Sequence, residues 1–197
     1  MYADLSGEAH ASEADLIVRA RRGEEAAWEA LVLEYQQPIF RLAYLMLGDS
    51  AEAEDVTQEA FIRAFRALDR FDASRPLRPW LLQIAANLAR NRRRSAGRFV
   101  QALARKVRGE PEPVHRIEER SEQQWEAQTL WQAVRRLSTA DQEIIYLRYF
   151  LELSEAEAAE TLDVAVGTVK SRMHRAMGRL REIIRKEFPA LQAEREE

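Results

Sequence analysis

The stretch Ser154–Lys186, SEAEAAETLDVAVGTVKSRMHRAMGRLREIIRK, contains the pattern that decides the fold. Ser154 and Glu157 have the spacing of a capping box, which predicts a short helix ending near Leu162. A turn of about five residues then leads to a second helix, predicted from Thr168 to Glu187 and closed by a following proline. Two helices of these lengths with so short a connection are typical of a helix-turn-helix.

The second of these helices separates its apolar side chains from its polar ones. Four apolar residues fall in one narrow sector of the helical wheel: Val169, Met173, Ala176 and Leu180. Four polar or charged residues fall on the opposite side: Lys170, Ser171, His174 and Arg175. Arginine can bond a guanine in two places, and lysine and serine reach base edges or phosphates, so this face suits a DNA major groove. A surface helix with solvated charges would show the same pattern, and that alternative stays open here.

The rest of the chain has the same helical periodicity and few β-branched runs, so the sequence predicts an all-α protein. Further helices are predicted at about 14–22, 24–47, 49–68, 79–94, 125–137 and 139–150, with a disturbance at Pro38 and a capping box of Thr139 and Gln142. Residues 69–79 contain two prolines and are predicted to form a loop. A charged stretch with glycines and prolines, 96–122, is predicted as a linker between two small helical domains, 14–95 and 123–188.

Charge is segregated along the chain, although the net charge is only −3. Residues 1–62 carry 4 basic and 13 acidic side chains, and residues 63–108 carry 13 and 2. Residues 109–162 carry 5 and 12, and residues 163–197 carry 8 and 6. Two basic stretches separated by acidic ones suit a polyanion that is contacted at two places. Of the 30 basic residues 27 are arginine, which favours forked phosphate contacts, although a GC-rich genome would produce the same bias.

Several function classes find no support in the sequence. Cysteine is absent, and the three histidines are too scattered to suggest a metal site. No glycine-rich phosphate loop or Ser/His/Asp set can be recognised, so we expect no catalytic residues, no cofactor and no small-molecule substrate. No apolar run approaches the roughly 18 residues of a membrane span, and the N-terminus is acidic rather than basic, so we expect a cytoplasmic protein without membrane insertion.

Two helices of the first domain carry further candidate surfaces. The predicted fourth helix has Trp80 at the head of a polar stripe, and five arginines within nine residues, 90–98, lie at and just beyond its end, an arrangement that suits single-stranded nucleic acid. Trp80 could instead belong to the core. The predicted third helix is apolar nearly all round, and one broad face combines acidic, amide and apolar side chains: Asp55, Gln58, Phe61, Ile62 and Phe65. Such a helix either lies at the centre of its bundle or docks on another protein.

At this point the residues resemble the extracytoplasmic-function (ECF, group IV) sigma factors of the sigma-70 family. AEDVTQEAF at 53–61 is similar to the helix of region 2 that binds the clamp helices of the RNA polymerase β′ subunit. WLLQIAAN at 80–87 is similar to the segment that melts and reads the promoter −10 element. GTVKSR at 167–172 is similar to the region 4 helix that reads the −35 element. The resemblance implies a sigma region 2 domain and a sigma region 4 helix-turn-helix domain joined by the charged linker.

The resemblance also implies a role for individual residues. Core polymerase would be bound by Asp55, Gln58, Glu59, Phe61 and Phe65. The melted −10 strand would be bound by Leu77, Trp80, Asn87, Arg90 and Arg94, with the 69–79 loop capturing a flipped base. The −35 duplex would be read by Thr168, Lys170, Ser171, Arg172, His174 and Arg175. The polymerase β flap and an anti-sigma factor would be further partners.

The sequence therefore predicts an alternative sigma factor, a promoter-specificity subunit without catalytic chemistry of its own. Two alternatives from other classes stay open. A stand-alone dimeric helix-turn-helix regulator would bind palindromic DNA tightly without polymerase. A helical protein-interaction module would use its arginines on acidic protein surfaces and show no DNA sequence preference.

Overall fold

The computed structural model describes residues 12–104, 122–189 and 191. Within these residues the regular secondary structure is entirely helical. The helices of the first part are α1 (Glu13–Arg21), α2 (Glu25–Leu47), α3 (Ser50–Ala67), a 3-10 turn (Leu68–Arg70) and α4 (Leu77–Ala104). The helices of the second part are α5 (Glu122–Arg135), α6 (Thr139–Ile145) with a π turn (Tyr146–Phe150), α7 (Glu155–Leu162) and α8 (Val166–Glu187). The predicted all-α class is confirmed.

The chain divides into two compact units, which meet in sequence between Ala89 and Arg90. Because α4 continues to Ala104 through Gly97, residues 96–104 of the predicted linker are helical. One glycine inside a helix costs about 1 kcal/mol relative to alanine, which a run of arginine, alanine and leucine tolerates. Residues 105–121 of the predicted linker lie outside the described part of the chain. The domain limits 14–95 and 123–188 remain predictions.

In the first unit α2 packs against both α1 and α3. Gly48 ends α2 in the left-handed conformation with φ 76°, which glycine adopts without strain. Asp49 then caps α3 by accepting a hydrogen bond from the Glu52 N–H at 2.9 Å. Pro38 lies inside α2, which continues through it as one helix rather than ending there. Buried side chains from α1, α2, α3 and the start of α4 form the core of this unit: Ile17, Leu31, Ile39, Leu42, Val56, Leu81 and Leu82.

The start of α4 differs from its predicted position. The helix begins at Leu77, two residues before the predicted first residue, so the loop that precedes it is shorter than 69–79. Pro79 then occupies the first turn of α4, where a backbone N–H has no partner within the helix and its absence costs nothing. The helix therefore begins upstream of its proline.

In the second unit α8 packs against α5, α6 and α7. The capping box of α7 is confirmed: the Glu157 N–H donates to Ser154 Oγ at 3.2 Å, and the Ser154 N–H donates to Glu157 Oε2 at 2.7 Å. The turn after α7 ends at the start of α8, two residues before the predicted Thr168. These two helices and their connection form the predicted helix-turn-helix.

The predicted capping box at the start of α6 is wrong. Ser138, one residue earlier, is the N-cap and accepts from the Asp141 N–H at 3.3 Å. The Gln142 side chain is buried, and its amide donates to the carbonyls of Arg135 at 3.0 Å and Leu137 at 2.8 Å. A buried amide needs such partners, so Gln142 ties the end of α5 to α6 instead of capping a helix.

Candidate polymerase and promoter surfaces

An exposed face of α3 carries most of the residues predicted to bind core polymerase. Asp55 and Gln58 are exposed, and the Phe65 ring keeps 55% of its surface in solvent. Glu59 lies on the same side and forms an ion pair with Arg63 at 2.7 Å. Acidic, amide and aromatic groups are therefore presented together on one helix.

Phe61 is placed differently from the other four residues of this set. It is only 8% exposed and lies at the edge of the core, with its ring 6.1 Å from that of Trp28. The same Trp28 packs edge-on against Phe65 at 5.2 Å. Trp28 thus supports the exposed ring from beneath, a role that the sequence analysis missed because the tryptophan belongs to another helix.

The exposed face of α3 also carries large apolar side chains beside its polar ones. Ile62, between the acidic residues and Phe65, is 45% exposed. Large apolar side chains that adjoin one another at a surface mark a protein contact more often than isolated ones do. The arrangement therefore suits a protein partner rather than DNA, whose phosphates would be repelled by Asp55 and Glu59.

The segment between α3 and α4 is ordered by its own hydrogen bonds. Asp72 Oδ1 accepts from the Ser74 N–H at 3.0 Å and from Ser74 Oγ at 2.8 Å, and both bonds lower the pKa of the Asp72 carboxyl. The Phe71 ring packs against Trp80, with 4.7 Å between ring centroids. Trp80 is half-buried, so the indole has both a packing partner and an accessible surface.

The residues predicted for the −10 strand do not all reach the surface. Asn87 and Arg94 are exposed, and Arg94 donates to the Asn91 side chain at 2.9 Å. Leu77 is only 1% exposed, and this corrects its prediction as a DNA contact. Its side chain enters the core at the first residue of α4, which the family resemblance behind the prediction does not reveal.

Arg90 is the first residue of the second unit and forms an ion pair inside that unit. Its guanidinium Nε lies 3.0 Å and 3.1 Å from the two carboxylate oxygens of Glu143 on α6. Burial raises the pKa of the Glu143 carboxyl, and the positive charge of Arg90 opposes that shift. Arg93 also donates to the buried Gln142 at 3.3 Å. Arg90 and Arg93 therefore both have side-chain partners on α6.

The exposed side of α8 carries the residues predicted to read the −35 element. Lys170, Ser171, His174 and Arg175 are exposed, as the helical wheel predicted. Thr168 and Arg172 are half-buried at the flank of this row. The opposite seam is closed by buried side chains of Val169, Ala176 and Leu180, with Met173 half-buried beside them. The helix thus has a fixed inner face and an open outer one.

Two of the exposed side chains of α8 are held in place. Lys170 forms an ion pair with Glu155 of α7, with 3.4 Å between Nζ and Oε2. The Arg175 guanidinium Nε donates to the Ser171 carbonyl at 3.2 Å. Glu155 was not among the predicted site residues, since charge patterning along the chain does not reveal which residues of two helices meet.

Two kinds of feature are absent from the described part of the chain. No group of three or more metal-ligating side chains occurs there. Within the same residues, none of the helices has the length and apolar character needed to span a membrane.

Comparison with known proteins identifies the two units. The family model for sigma-70 region 2 matches residues 31–99, and the model for sigma-70 region 4 matches residues 127–180. SigW of Bacillus subtilis, an ECF RNA polymerase sigma factor, is 34% identical over 183 residues, which are 86% of this chain and 95% of SigW. The RNA polymerase sigma-H factor of Pseudomonas aeruginosa is 36% identical over 169 residues, 82% of this chain and 88% of that protein.

Solved structures agree with these relatives. The sigma factor RpoE of Bartonella quintana, in complex with the anti-sigma factor NepR, matches with TM-score 0.62 and 28% identity over 81% of this chain and 97% of RpoE. CnrH, in complex with the cytosolic domain of CnrY, matches with TM-score 0.66 and 25% identity over 89% of this chain and 98% of CnrH. Both family models, the aligned relatives and the shared fold lead to one conclusion: the chain belongs to the ECF subgroup of the sigma-70 family and is an alternative sigma factor, which binds core RNA polymerase and directs transcription initiation at specific promoters.

Proposed function

We propose that α8 reads the promoter −35 element by entering its major groove. The observation that carries this proposal is the exposed row of Lys170, Ser171, His174 and Arg175 above a buried seam. In a helix-turn-helix the second helix presents its N-terminal residues to base edges while the first crosses the DNA backbone. All four residues lie in the first half of α8, where the helix N-terminus also favours phosphate.

The exposed face of α3 is the proposed contact with core polymerase, through the clamp helices of the β′ subunit. Asp55, Gln58 and Glu59 supply polar contacts, and Phe65 supplies an aromatic anchor of the kind that dominates many interfaces. Phe61 contributes indirectly, because its ring packs against Trp28 and the two rings support this surface. The second unit is the proposed contact for the polymerase β flap.

The melted −10 strand is the proposed ligand of the loop before α4 and of the polar residues on α4. Trp80 offers a partly accessible indole for stacking, and Asn87 and Arg94 offer amide and cationic groups along the same helix. Arg90 joins them when its ion pair with Glu143 opens. Leu77 is left out of this surface because its side chain is buried.

The remaining properties follow from the role of a sigma factor. The chain supplies recognition and docking, and polymerase supplies the chemistry of RNA synthesis, so we propose that this protein is not an enzyme and needs no cofactor. We place it in the cytoplasm, where its polymerase and promoters are. The structural relatives RpoE and CnrH were solved in complex with protein partners, an anti-sigma factor in the case of RpoE, and an anti-sigma factor is the proposed regulator here.

Gel filtration with core RNA polymerase tests the polymerase contact. The wild-type chain is expected to co-elute with core enzyme, and Phe65→Ala is expected to weaken this binding about tenfold or more, as removal of an aromatic anchor does. Tyr44→Ala, which removes another exposed aromatic ring of the first unit, is the matched control and should bind normally. Equal binding by Phe65→Ala and wild type would remove α3 from the interface.

Run-off transcription from pooled genomic fragments tests the promoter contacts. The reconstituted holoenzyme is expected to give discrete transcripts that core polymerase alone does not give. Binding of palindromic DNA by the chain without polymerase, and no new transcripts with it, would instead support a stand-alone regulator.

A further inference from the structure

The first and last residues of α1 both reach the segment that precedes α4. At one end of that segment, Arg21 Nε donates to the Leu68 carbonyl at 3.0 Å. A second guanidinium nitrogen of the same side chain, Nη2, donates to the Phe71 carbonyl. The planar guanidinium thus bridges two backbone carbonyls three residues apart, which a single ammonium group does less well.

Glu13 acts at the other end of the same segment. Its Oε1 accepts from the Leu77 N–H at 3.1 Å, and its Oε2 accepts from the Tyr35 hydroxyl. The first N–H groups of a helix have no partner within the helix, and a carboxylate placed there also interacts favourably with the helix dipole. Burial raises the pKa of the Tyr35 hydroxyl, which keeps it protonated as the donor to Glu13.

The two contacts come from one rigid element. Glu13 and Arg21 are eight positions apart on α1, which is about 12 Å at roughly 1.5 Å per residue. Ile17 lies midway between them and is fully buried, so α1 is itself anchored in the core. One helix therefore fixes both ends of the 68–77 segment relative to the rest of the first unit.

The bonds inside the segment serve a different purpose. Asp72 and Ser74 shape a local turn, and Phe71 packs on Trp80. The turn bonds set the shape of the loop but do not tie it to α1 or α2. A loop that must receive an unstacked base has to be held in place before the base arrives, because ordering it on binding would cost affinity.

We propose that Glu13 and Arg21 are positioning residues for recognition of the −10 strand, which hold the 68–77 loop and the start of α4 in the conformation that receives promoter bases. This inference rests on the proposed function of that loop. Neither side chain needs to contact DNA: each acts through the backbone groups of Leu68, Phe71 and Leu77.

Selection from a pool of single-stranded oligonucleotides with ten randomised positions tests the proposal, with holoenzyme reconstituted from the full chain. Glu13→Ala and Arg21→Ala are expected to bind the oligonucleotide selected by wild type about tenfold more weakly, the loss of roughly one well-held base, and to select a less defined motif. Glu13→Gln is expected to keep wild-type affinity, since its carbonyl oxygen can still accept from the Leu77 N–H. Arg21→Lys is expected to fall between wild type and Arg21→Ala.

Two controls separate positioning from general loss of structure. Ile17→Val makes a small cavity in α1, so it should lower Tm and leave the selected motif unchanged. Arg22→Ala removes the neighbouring exposed charge of α1 and should change neither Tm nor motif. Gel filtration with core polymerase checks that every variant still forms holoenzyme.

The outcomes are distinct. If wild-type holoenzyme selects a motif and the two alanine variants select it with equal affinity, the positioning role is wrong while the −10 function stands. If wild-type holoenzyme selects no motif at all, the proposed −10 function fails, and the positioning role falls with it. If Glu13→Gln loses as much affinity as Glu13→Ala, the hydrogen bond to Leu77 is not the cause.

Discussion

The two helices proposed to face DNA, α4 and α8, place the residues of their proposed surfaces on very different supports. In α8 the buried residues form one seam, and the side chains proposed to read DNA are exposed on the other side. In α4 the first half is buried on several sides at once, by Leu81, Leu82, Ala85, Ala86, Leu88 and Ala89. The proposed recognition by α8 would therefore depend on single exposed side chains, whereas that by α4 would depend on how well the core and the preceding loop are held.

The largest expected effect comes from removing core volume under α4. Leu82 is fully buried, so Leu82→Ala is expected to lower the free energy of unfolding of the first unit by about 2–5 kcal/mol. Hydrogen exchange of the full chain should show the loss in α2, α3 and α4. Leu33→Ala, the same change at an exposed position of α2, should be nearly neutral. A neutral Leu82→Ala would mean that α4 is not part of the core.

The contrasting variant in α8 should lose function without losing stability. Arg175→Ala removes an exposed side chain of the reading row, and it is expected to cost the holoenzyme about 1–3 kcal/mol in binding to a promoter fragment recovered by transcription. Its Tm should stay at the wild-type value. Arg185→Ala, in the last turn of the same helix, removes the same charge and should bind normally. If Arg175→Ala lowers Tm instead, the exposed side of α8 contributes to stability and the contrast with α4 is wrong.

A smaller effect is expected from the ion pair between α7 and α8. Glu155→Gln frees Lys170 for phosphate contacts, so non-specific duplex affinity should rise about threefold and the slope of log K against log[salt] should steepen by about 0.9. Fluorescence anisotropy with a duplex lacking any promoter measures both quantities. Glu182→Gln, on the same unit but outside the reading row, is the control with the same charge change. An unchanged salt slope would show that Lys170 reaches phosphate without this release.

The smallest expected effect concerns the turn inside the loop before α4. The Ser74 N–H and hydroxyl lower the pKa of the Asp72 carboxyl, so its stabilising contribution is present above the unfolded-state pKa and is lost as pH falls through the folded-state pKa. Ser74→Ala removes the hydroxyl bond and should raise the pKa of Asp72, measured by NMR titration. Ser50→Ala, at an exposed serine on α3, should leave the titration unchanged. An unaltered pKa in Ser74→Ala would assign the whole shift to the backbone N–H.

Sequence reasoning succeeded for α8 because its signals are local. The Ser154 capping box, the turn and the apolar spacing of Val169, Ala176 and Leu180 are all set within a few residues of one another. A helix that rests on the surface of its domain has one covered side, and a helical wheel identifies that side correctly. The exposed row of α8 could therefore be predicted residue by residue.

Residues were misplaced, Leu77 by the family resemblance and Gln142 by the capping pattern, where contacts between distant parts of the chain decide their position. Leu77 was predicted to meet DNA, but its N–H is bonded by Glu13, 64 positions earlier, and its side chain is core. Gln142 was predicted to cap α6, but its amide is taken by carbonyls at the end of α5. Neither set of contacts is visible in the spacing of apolar residues, because each joins a side chain to backbone groups outside its own helix.

The sequence by itself determined the helical class and the helix-turn-helix, because periodicity and caps act over a few residues, whereas the order of the polymerase, −10 and −35 motifs was implied by its resemblance to ECF sigma factors. Only the tertiary structure decided that Trp28 supports the exposed face of α3, that Glu155 pairs with Lys170, and that α1 is bonded to the loop before α4. Those contacts depend on which surfaces meet when helices pack, and that is settled by the whole core rather than by any one segment.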